Sequence, residues 1–304
     1  MRTTRVGVGI VAAVLAAIAG VVAPAAASAA SATQVPGAAT DFWTAEAMRA
    51  ATPLDGVFAT AGNAVGHAVA GGVPSLVPAS TTGGPWTGGG KVTKTAGRVF
   101  FLFNGAKASC SGDAVTSGNK SVVITAGHCV KYQGTWHTNW VFVPGYDNGN
   151  APYGEWAASQ TLTTPQWEAS EDLNYDVGAA VVNPLNGKRL TDVVGGQGIA
   201  FNQPRKQNMY AFGYPAEGKY DGTKLDYCSG RTFVDFVSSN DNGMRCDMTG
   251  GSSGGPWLLN FDPATGTGVQ NSLNSFGYTF LPGYMFGPYF GSDVQALYNA
   301  AQSK

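Results

Sequence analysis

Charge is scarce in this sequence and balanced in sign. Only 12% of the 304 residues are charged, and 18 Lys and Arg against 19 Asp and Glu give a formal net charge of −1. Because no surplus of positive charge is available to neutralise phosphates, nucleic acid and anionic membrane surfaces are poor candidates as partners. A hydrophobic content of 44% also excludes disorder driven by charge.

Histidine is equally scarce, with His67, His128 and His137 as its three occurrences. Zinc sites need clustered histidine, cysteine or carboxylate ligands, and calcium loops need closely spaced aspartates. The sequence contains neither pattern, so we expect no metal and no other cofactor. A mechanism that uses an imidazole must use one of these three residues.

The N-terminus has the pattern of a secretory signal peptide. Arg2 and Arg5 precede an uncharged apolar run at residues 6–22, and Ala27, Ser28 and Ala29 then match the A-x-A cleavage pattern. A membrane anchor is the alternative, but the apolar run is shorter than the ~20 residues that span a bilayer. We therefore expect residues 1–29 to be a signal peptide, the protein to be secreted and extracellular, and no membrane attachment after cleavage.

Residues 30–90 differ in composition from the rest of the chain. A short helix is predicted at residues 41–51, stopped before Pro53, and a stretch rich in Gly, Pro, Ser and Thr follows it. We interpret residues 30–90 as a pro-region and linker, with a flexible cleavage zone at residues 83–90. Since no feature defines a processing site, an arm retained in the mature protein is the alternative.

Residues 91–304 have the pattern of an all-β domain that ends in a helix. Short apolar, β-branched and aromatic runs predict strands at residues 99–103, 122–125, 141–143, 177–182, 209–212, 233–237 and 257–259. Tight turns are predicted at the Asn-Gly or Asp-Gly pairs that begin at residues 104, 148, 186, 221 and 242. The final helix is predicted from a capping box that begins at Ser292 and from an apolar stripe at positions 294, 297, 298 and 301.

All four cysteines lie in this last segment. Their spacing matches no zinc-ligand pattern, and a secreted chain favours disulfides. Four cysteines permit three pairings. The order along the chain favours the local bonds Cys110 to Cys129 and Cys228 to Cys246, each stabilising by up to ~3 kcal/mol in the chain-entropy model.

Ser253 is the candidate nucleophile. It lies in the run GGSSGGP at 250–256, where glycines allow a tight turn and expose backbone N–H groups around a hydroxyl, as a nucleophile with an oxyanion hole requires. The same residues fit the G-x-S-x-G elbow of α/β-hydrolases, but that fold places its histidine after the serine, and no histidine follows His137. A flexible Gly-Ser turn without a catalytic role is the other alternative.

The remaining order of catalytic groups is histidine, aspartate, serine. His128 ends an apolar strand beside Cys129, and Asp176 stands at the entrance of another apolar strand, where a carboxylate can be buried against an imidazole. Asp172 is the nearest competitor, and Asp176 is preferred because Asp172 leads into polar residues. An order with the aspartate first, through Asp113, would indicate a subtilisin-like α/β enzyme, but the alternating helices are missing.

Three motifs in this order resemble those of the trypsin-like serine peptidases of the chymotrypsin fold: TAGHC at 125–129, DVGA at 176–179 and GSSGGP at 251–256. Within that family the chain is most similar to secreted bacterial members of the V8 and glutamyl-endopeptidase type, over about residues 97–302. The resemblance implies two packed six-stranded antiparallel β-barrels, an active site in the cleft between them and a terminal helix.

The resemblance also implies roles for particular residues. His128, Asp176 and Ser253 would form the catalytic triad, with Ser253 attacking the scissile carbonyl and His128 moving the proton. The backbone N–H groups of Gly251 and Ser253 would form the oxyanion hole.

Substrate-binding residues are implied in the same way. Ser275, Phe276 and Gly277 resemble the segment that pairs with the substrate backbone, and Asp247 lies where trypsin-like enzymes carry the acid that selects basic side chains. Ser252 stands where trypsin has the aspartate that receives the new N-terminal amine, so the resemblance does not extend to activation through that ion pair. Strict glutamyl specificity is disfavoured, because its members are expected to use a histidine after the nucleophile.

Two functions of different class follow. The first is a secreted serine endopeptidase that hydrolyses polypeptide substrates as a monomer through an acyl-enzyme. The second is a non-enzymatic secreted binding protein that keeps the fold but has lost proteolysis. The intact candidate triad favours the peptidase.

Overall fold

The computed structural model describes residues 1–3, 28–34, 39, 42–54 and 81–304. The signal peptide expected at residues 1–29 lies almost wholly outside these ranges. Among the described residues, no helix is long and apolar enough to cross a membrane. Those residues form the α-helices α1 to α5, which span Ala45–Arg49, Val92–Thr95, Pro165–Ser170, Leu190–Val194 and Ser292–Gln302.

Strands carry most of the fold. In chain order, β1 to β19 span Ala30–Thr33, Thr52–Pro53, Thr81–Pro85, Ala96–Phe103, Ala106–Ala114, Val122–Thr125, Lys131–Tyr132, Thr135–Trp136, Thr138–Pro144, Trp156–Thr163, Gly178–Val182, Gly198–Ile199, Asn208–Gly213, Asp226–Arg231, Phe233–Val234, Asn242–Arg245, Pro256–Asp262, Thr267–Leu273 and Tyr284–Gly287. Two 3₁₀ turns, Gly127–Cys129 and Leu173–Tyr175, lie between strands.

Six strands of the first half close into an antiparallel barrel, in the order β10, β11, β6, β5, β4, β9 and back to β10. The β4–β5 hairpin turns at Asn104 and Gly105, whose φ angles of 49° and 82° are those that the predicted Asn-Gly turn requires. Val99, Ile124 and Phe142 are fully buried in the core of this half. Each such side chain contributes roughly 1.5–3 kcal/mol through burial.

The second half forms a six-stranded sheet in the order β12, β18, β17, β13, β14, β3 and a three-stranded sheet of β15, β16 and β19. The pairings are antiparallel except that of β12 with β18. The all-β class, a closed six-stranded barrel and the C-terminal helix are confirmed. The strands of the second half divide between two sheets, where a single six-stranded barrel was expected.

Two disulfides tie these elements together. Cys110 of β5 is bonded to Cys129, and Cys228 of β14 is bonded to Cys246, the residue that follows β16. The local pairing predicted from chain order is therefore confirmed. Because Cys129 directly follows His128, the first bond restrains the backbone beside the imidazole.

Three local predictions are wrong. Gly291, not Ser292, is the N-cap of α5, and no side chain caps that helix. The strand expected at residues 233–237 ends after two residues, because the Asp235 carboxylate accepts hydrogen bonds from the N–H groups of Val237 and Ser239 and turns the chain. The turn expected at residues 242 and 243 is part of β16, whose pairing with strands on both edges overrides the local preference.

Several described parts of residues 30–90 pack on the domain that follows. β1 pairs with β10, β2 pairs in parallel with β5, and β3 extends the second sheet at β14. Trp43 and Met48 are buried in one core cluster with Phe100. The Trp86 ring lies within 5.0–5.5 Å of the rings of Phe212, Tyr227 and Phe261. Residues 81–86 therefore contribute to the core of the second half.

Asp113 is a fully buried acid on β5 that makes stability depend on pH. Neither of its carboxyl oxygens has a hydrogen-bond partner in the described chain, and burial raises its pKa to about 8. Since the unfolded carboxyl has a lower pKa, the folded state binds the extra proton between about pH 4 and pH 8. The free energy of unfolding is therefore expected to fall as pH rises through this window, by on the order of 1 kcal/mol per pH unit.

Asp113→Asn removes this titration. We expect the variant to lose much of the dependence of the unfolding free energy on pH, because an amide stays neutral throughout. Urea denaturation at pH 4.5, 6 and 8 measures the slope. Asp262→Asn, at an exposed acid, is the matched control and should keep the wild-type slope. Equal slopes in the two variants would contradict the assignment.

Candidate active site

His128 and Asp176 lie at the ends of two paired strands. β6 and β11 are antiparallel with Thr125 opposite Gly178, so the turn after β6 and the residues before β11 meet at one end of the barrel. The His128 N–H donates to Asp176 Oδ1 at 2.8 Å, and His128 Nδ1 lies 2.8 Å from Asp176 Oδ2. Because an ionised carboxylate only accepts, Nδ1 carries the proton and Nε2 holds the lone pair. Nε2 is buried and has no hydrogen-bond partner among the described residues.

Ser275 is a further member of this hydrogen-bond chain. Its Oγ donates to Asp176 Oδ2 at 2.5 Å, and the residue is 1% exposed. The resemblance assigned Ser275 only to substrate binding. Its contact with Asp176 joins residues 99 positions apart, and no local sequence pattern signals it. The carboxylate is thereby held from two sides, which restricts the orientation of the imidazole.

His137 binds the backbone of the turn that carries His128. Its ring stacks on Phe101 with centroids 4.2 Å apart, and its Nε2 donates to the His128 carbonyl at 2.8 Å. Burial lowers the pKa of His137 to about 4, so the ring is neutral and its single proton lies on Nε2. His137 is thus a support for the backbone of His128. The sequence offered no role for it.

The loop that carries Ser253 passes beside the His128 turn. The Ser253 carbonyl accepts from the Ser111 N–H at 2.7 Å and lies 3.7 Å from Cys129 Sγ. These contacts place the backbone of Ser253 beside the turn that carries His128. No hydrogen bond joins Ser253 to His128 Nε2. Catalytic contacts of this kind are often long before substrate binds.

Two backbone N–H groups of this loop, those of Gly251 and Ser253, have no acceptor in the part of the chain that the structure describes. Gly251 has a φ of 92°, which favours glycine. The Gly250 carbonyl belongs to the same peptide as the Gly251 N–H and accepts from the Ala216 N–H at 2.8 Å. Because C=O and N–H of a trans peptide point in opposite directions, this bond fixes the direction of the Gly251 N–H.

Polar groups from neighbouring elements hold the loop without an ion pair at Ser252. The Ser252 hydroxyl donates to the Thr249 carbonyl at 2.7 Å, and the Glu217 carboxylate accepts from the Gly250 N–H at 3.2 Å. The Ser111 hydroxyl donates to the Gly251 carbonyl at 2.8 Å. These contacts hold the loop although position 252 carries no carboxylate.

The two other acids near Asp176 differ from it in environment. Asp172 Oδ1 accepts from the backbone and side-chain nitrogens of Asn174 at 3.0 and 2.8 Å, so Asp172 caps a 3₁₀ turn and makes no bond to His128. Asp241 is 1% exposed. Burial and the Asp176 carboxylate raise the pKa of Asp241 well above its usual range. Of these three acids, Asp176 is the one that binds His128.

A cavity of about 390 Å³ lies beside Ser253. Its lining includes the four residues that the resemblance assigned to substrate binding, Asp247, Ser275, Phe276 and Gly277. Phe276 is 1% exposed and pairs through its backbone with Phe286 of β19. The carboxylate of Asp247 is occupied by Lys219 and Tyr220, and the cavity wall is otherwise mostly apolar.

One group of potential metal ligands is present among the described residues: Cys110, His128 and Cys129. The two sulfurs are joined in a disulfide, so neither is available as a thiolate ligand. The group therefore offers a single imidazole.

Solved structures of serine proteases are similar to this chain. Protease Anisep from Arthrobacter nicotinovorans is 43% identical with a TM-score of 0.65, over 69% of this chain and 96% of that one. The thermostable serine protease AL20 from an extremophilic microorganism is also 43% identical with a TM-score of 0.67, over 70% and 99%. A Glu endopeptidase, 18% identical with a TM-score of 0.54 over 68% and 90%, shares the fold.

The chain therefore belongs to the trypsin-like serine proteases of the chymotrypsin fold. No family model matches it. Among curated proteins it is 34% identical, over 82 residues, to the extracellular metalloprotease of Bacillus subtilis, a match to 27% of this chain. The chain matches 25% of the length of that relative.

Proposed function

We propose that the protein is a secreted serine endopeptidase that cleaves polypeptides through His128, Asp176 and Ser253. The observation that carries this proposal is the oriented imidazole: Asp176 binds Nδ1 at 2.8 Å, which leaves the lone pair of Nε2 without a partner beside the Ser253 loop. The two N–H groups without an acceptor at Gly251 and Ser253 support it. Two disulfides and the extracellular relative support secretion.

The chemistry proceeds in two halves. Ser253 Oγ attacks the scissile carbonyl carbon while its proton passes to His128 Nε2, and the carbonyl electron pair moves to an oxyanion bound by the N–H groups of Gly251 and Ser253. Each such donor is worth about 3 kcal/mol of barrier reduction. Collapse expels the amine, which takes the proton from His128. Water then repeats the attack on the acyl-enzyme and releases the acid.

Of the segment predicted as a pro-region and linker, residues 30–80 are proposed to restrain this site, whereas residues 81–90 stay with the enzyme. Two observations support the idea. His128 is fully buried and Ser253 is 4% exposed, although both must meet a substrate. In addition, β2 lies against the nucleophile loop, where a Cβ at Gly251 would be 3.3 Å from Pro53 Cβ. Activation then consists of removing this segment.

Labelling with an active-site phosphonylating reagent tests the peptidase against the non-enzymatic binding protein. We expect covalent modification of Ser253, found by peptide mass mapping after processing of residues 30–80, together with hydrolysis of a protein substrate. A chain that binds proteins but takes up no label and cleaves nothing would establish the alternative.

The start of the mature chain is expected to affect stability. A chain that begins at Thr81 keeps β3 and Trp86, whereas one that begins at Lys91 loses the pairing with β14 and a half-buried indole, a loss below the about 3–5 kcal/mol typical of a fully buried Trp. Both are expected to fold with their disulfides, and the shorter one is expected to melt several degrees lower. Calorimetry on the two proteins measures this. Equal melting temperatures would assign residues 81–90 to the linker.

A further inference from the structure

The cavity beside Ser253 has a distinctive charge pattern. Its described lining includes the apolar side chains of Met248, Phe276, Leu281, Pro282, Tyr284 and Met285. Two acids, Glu217 and Asp247, also line it, and none of its lining residues is Lys, Arg or His. No lining residue therefore offers a cation to an acidic substrate side chain, which disfavours its burial.

Asp247 has both carboxylate oxygens occupied. Lys219 Nζ lies 2.7 Å from Oδ2, and the Tyr220 hydroxyl donates to Oδ1 at 2.6 Å. Burial and this hydrogen bond raise the pKa of Tyr220, so its hydroxyl remains a donor. The two partners are consecutive residues of the loop between β13 and β14. Lys219 and Tyr220 contact Asp247 at the cavity wall, although neither belongs to the residues that the sequence predicted to bind substrate.

Strand β3 also contacts Asp247. The Asp247 N–H donates to the Thr82 carbonyl at 2.8 Å. A Cβ on Gly83 would overlap both Asp247 Oδ1 and the Tyr220 hydroxyl, so glycine is required for this close approach. Lys219, Tyr220 and the backbone of β3 thus surround a carboxylate that would otherwise be the natural counter-ion for a basic substrate side chain.

We propose that Lys219 is a specificity-determining residue, which pairs with Asp247 so that the cavity accepts a large apolar side chain, such as Phe, Tyr, Leu or Met, on the acyl side of the cleaved bond. This inference rests on the proposed function. A cavity of about 390 Å³ with an apolar wall can bury such a side chain, which contributes roughly 1.5–3 kcal/mol of binding. A basic side chain would have to displace Lys219 from Asp247.

The test uses peptides that differ only at this position, with Phe, Leu, Arg or Glu, and the enzyme processed from the full chain. Wild type is expected to show a kcat/KM for Phe about 10-fold or more above those for Arg and Glu. Lys219→Met is expected to raise the ratio of the Arg to the Phe value about 10-fold, a modest gain because the ion pair is partly exposed. Adding Asp247→Asn to Lys219→Met should remove the gain.

Lys224→Met, at an exposed lysine of the same loop, is the matched control and should leave the ratio unchanged. Phosphonylation of Ser253 is measured in parallel. Labelling and hydrolysis with a preference for Arg or Glu in wild type, or an unchanged ratio in Lys219→Met, would overturn this inference while the proposed function stands. No labelling and no hydrolysis would overturn both.

Discussion

Ser253→Ala is expected to lower kcat for peptide hydrolysis by about 10⁶-fold, and His128→Ala by a similar factor. The reason is that the two side chains share one proton: without the hydroxyl there is no nucleophile, and without the imidazole there is no base to activate it. The kcat of the double variant is expected to lie within about 10-fold of the kcat of each single variant. Steady-state kinetics on a fluorogenic peptide measure all three.

Ser252→Ala is the matched control for this series. It removes a hydroxyl from the adjacent residue of the same loop, where Oγ binds the Thr249 carbonyl, and is expected to lower kcat far less. Circular dichroism and melting temperatures establish that each variant is folded. If Ser253→Ala retained hydrolysis near the wild-type rate, the proposed nucleophile would be wrong.

Asp176→Asn is expected to lower kcat by about 10⁴-fold. The amide can donate to Nδ1, which favours the imidazole tautomer with its proton on Nε2 and removes the lone pair that receives the proton of Ser253. The carboxylate also stabilises the imidazolium that forms during the reaction, and an amide does not. Because the substitution is nearly isosteric, the fold and KM should change little.

Asp172→Asn distinguishes the two candidate acids. Asp172 caps a turn through bonds to Asn174, which an asparagine side-chain oxygen can also accept, so this variant should remain within about 10-fold of wild type. If Asp176→Asn lowered kcat only slightly and Asp172→Asn lowered it severely, Asp172 and not Asp176 would be the acid that orients His128. The rate of phosphonylation of Ser253, measured for both variants, reports on the base without requiring a bound peptide.

Local patterns predicted much of the fold. The run at residues 122–125 forms β6 with the predicted ends, and the Asn-Gly pair at residues 104 and 105 forms the predicted hairpin turn. The two disulfides join cysteines 19 and 18 residues apart, as chain order suggested. Predictions failed where a distant element controlled the backbone, as at Gly243, which is paired on both sides within a sheet.

The sequence predicted some residues of the candidate site but not the contacts that support them. His128, Asp176 and Ser253 stand out in the sequence because each lies in a short segment with a recognisable pattern, and their order along the chain excluded the rival hydrolase folds. Ser275 could not be paired with Asp176 in this way, and neither could His137 with the His128 carbonyl. Those contacts depend on how β-strands from different parts of the chain come together.

The sequence by itself determined the class of the fold, favoured the cysteine pairing that the structure has and predicted the candidate reacting groups, because these follow from periodicity, composition and order within short segments. Only the tertiary structure decided which groups orient them and what charge the substrate cavity presents. Lys219 lies 28 residues from Asp247, and no rule of local spacing joins them. Such contacts depend on the packing of the whole domain, which brings a loop, a strand and a carboxylate within 3 Å of one another.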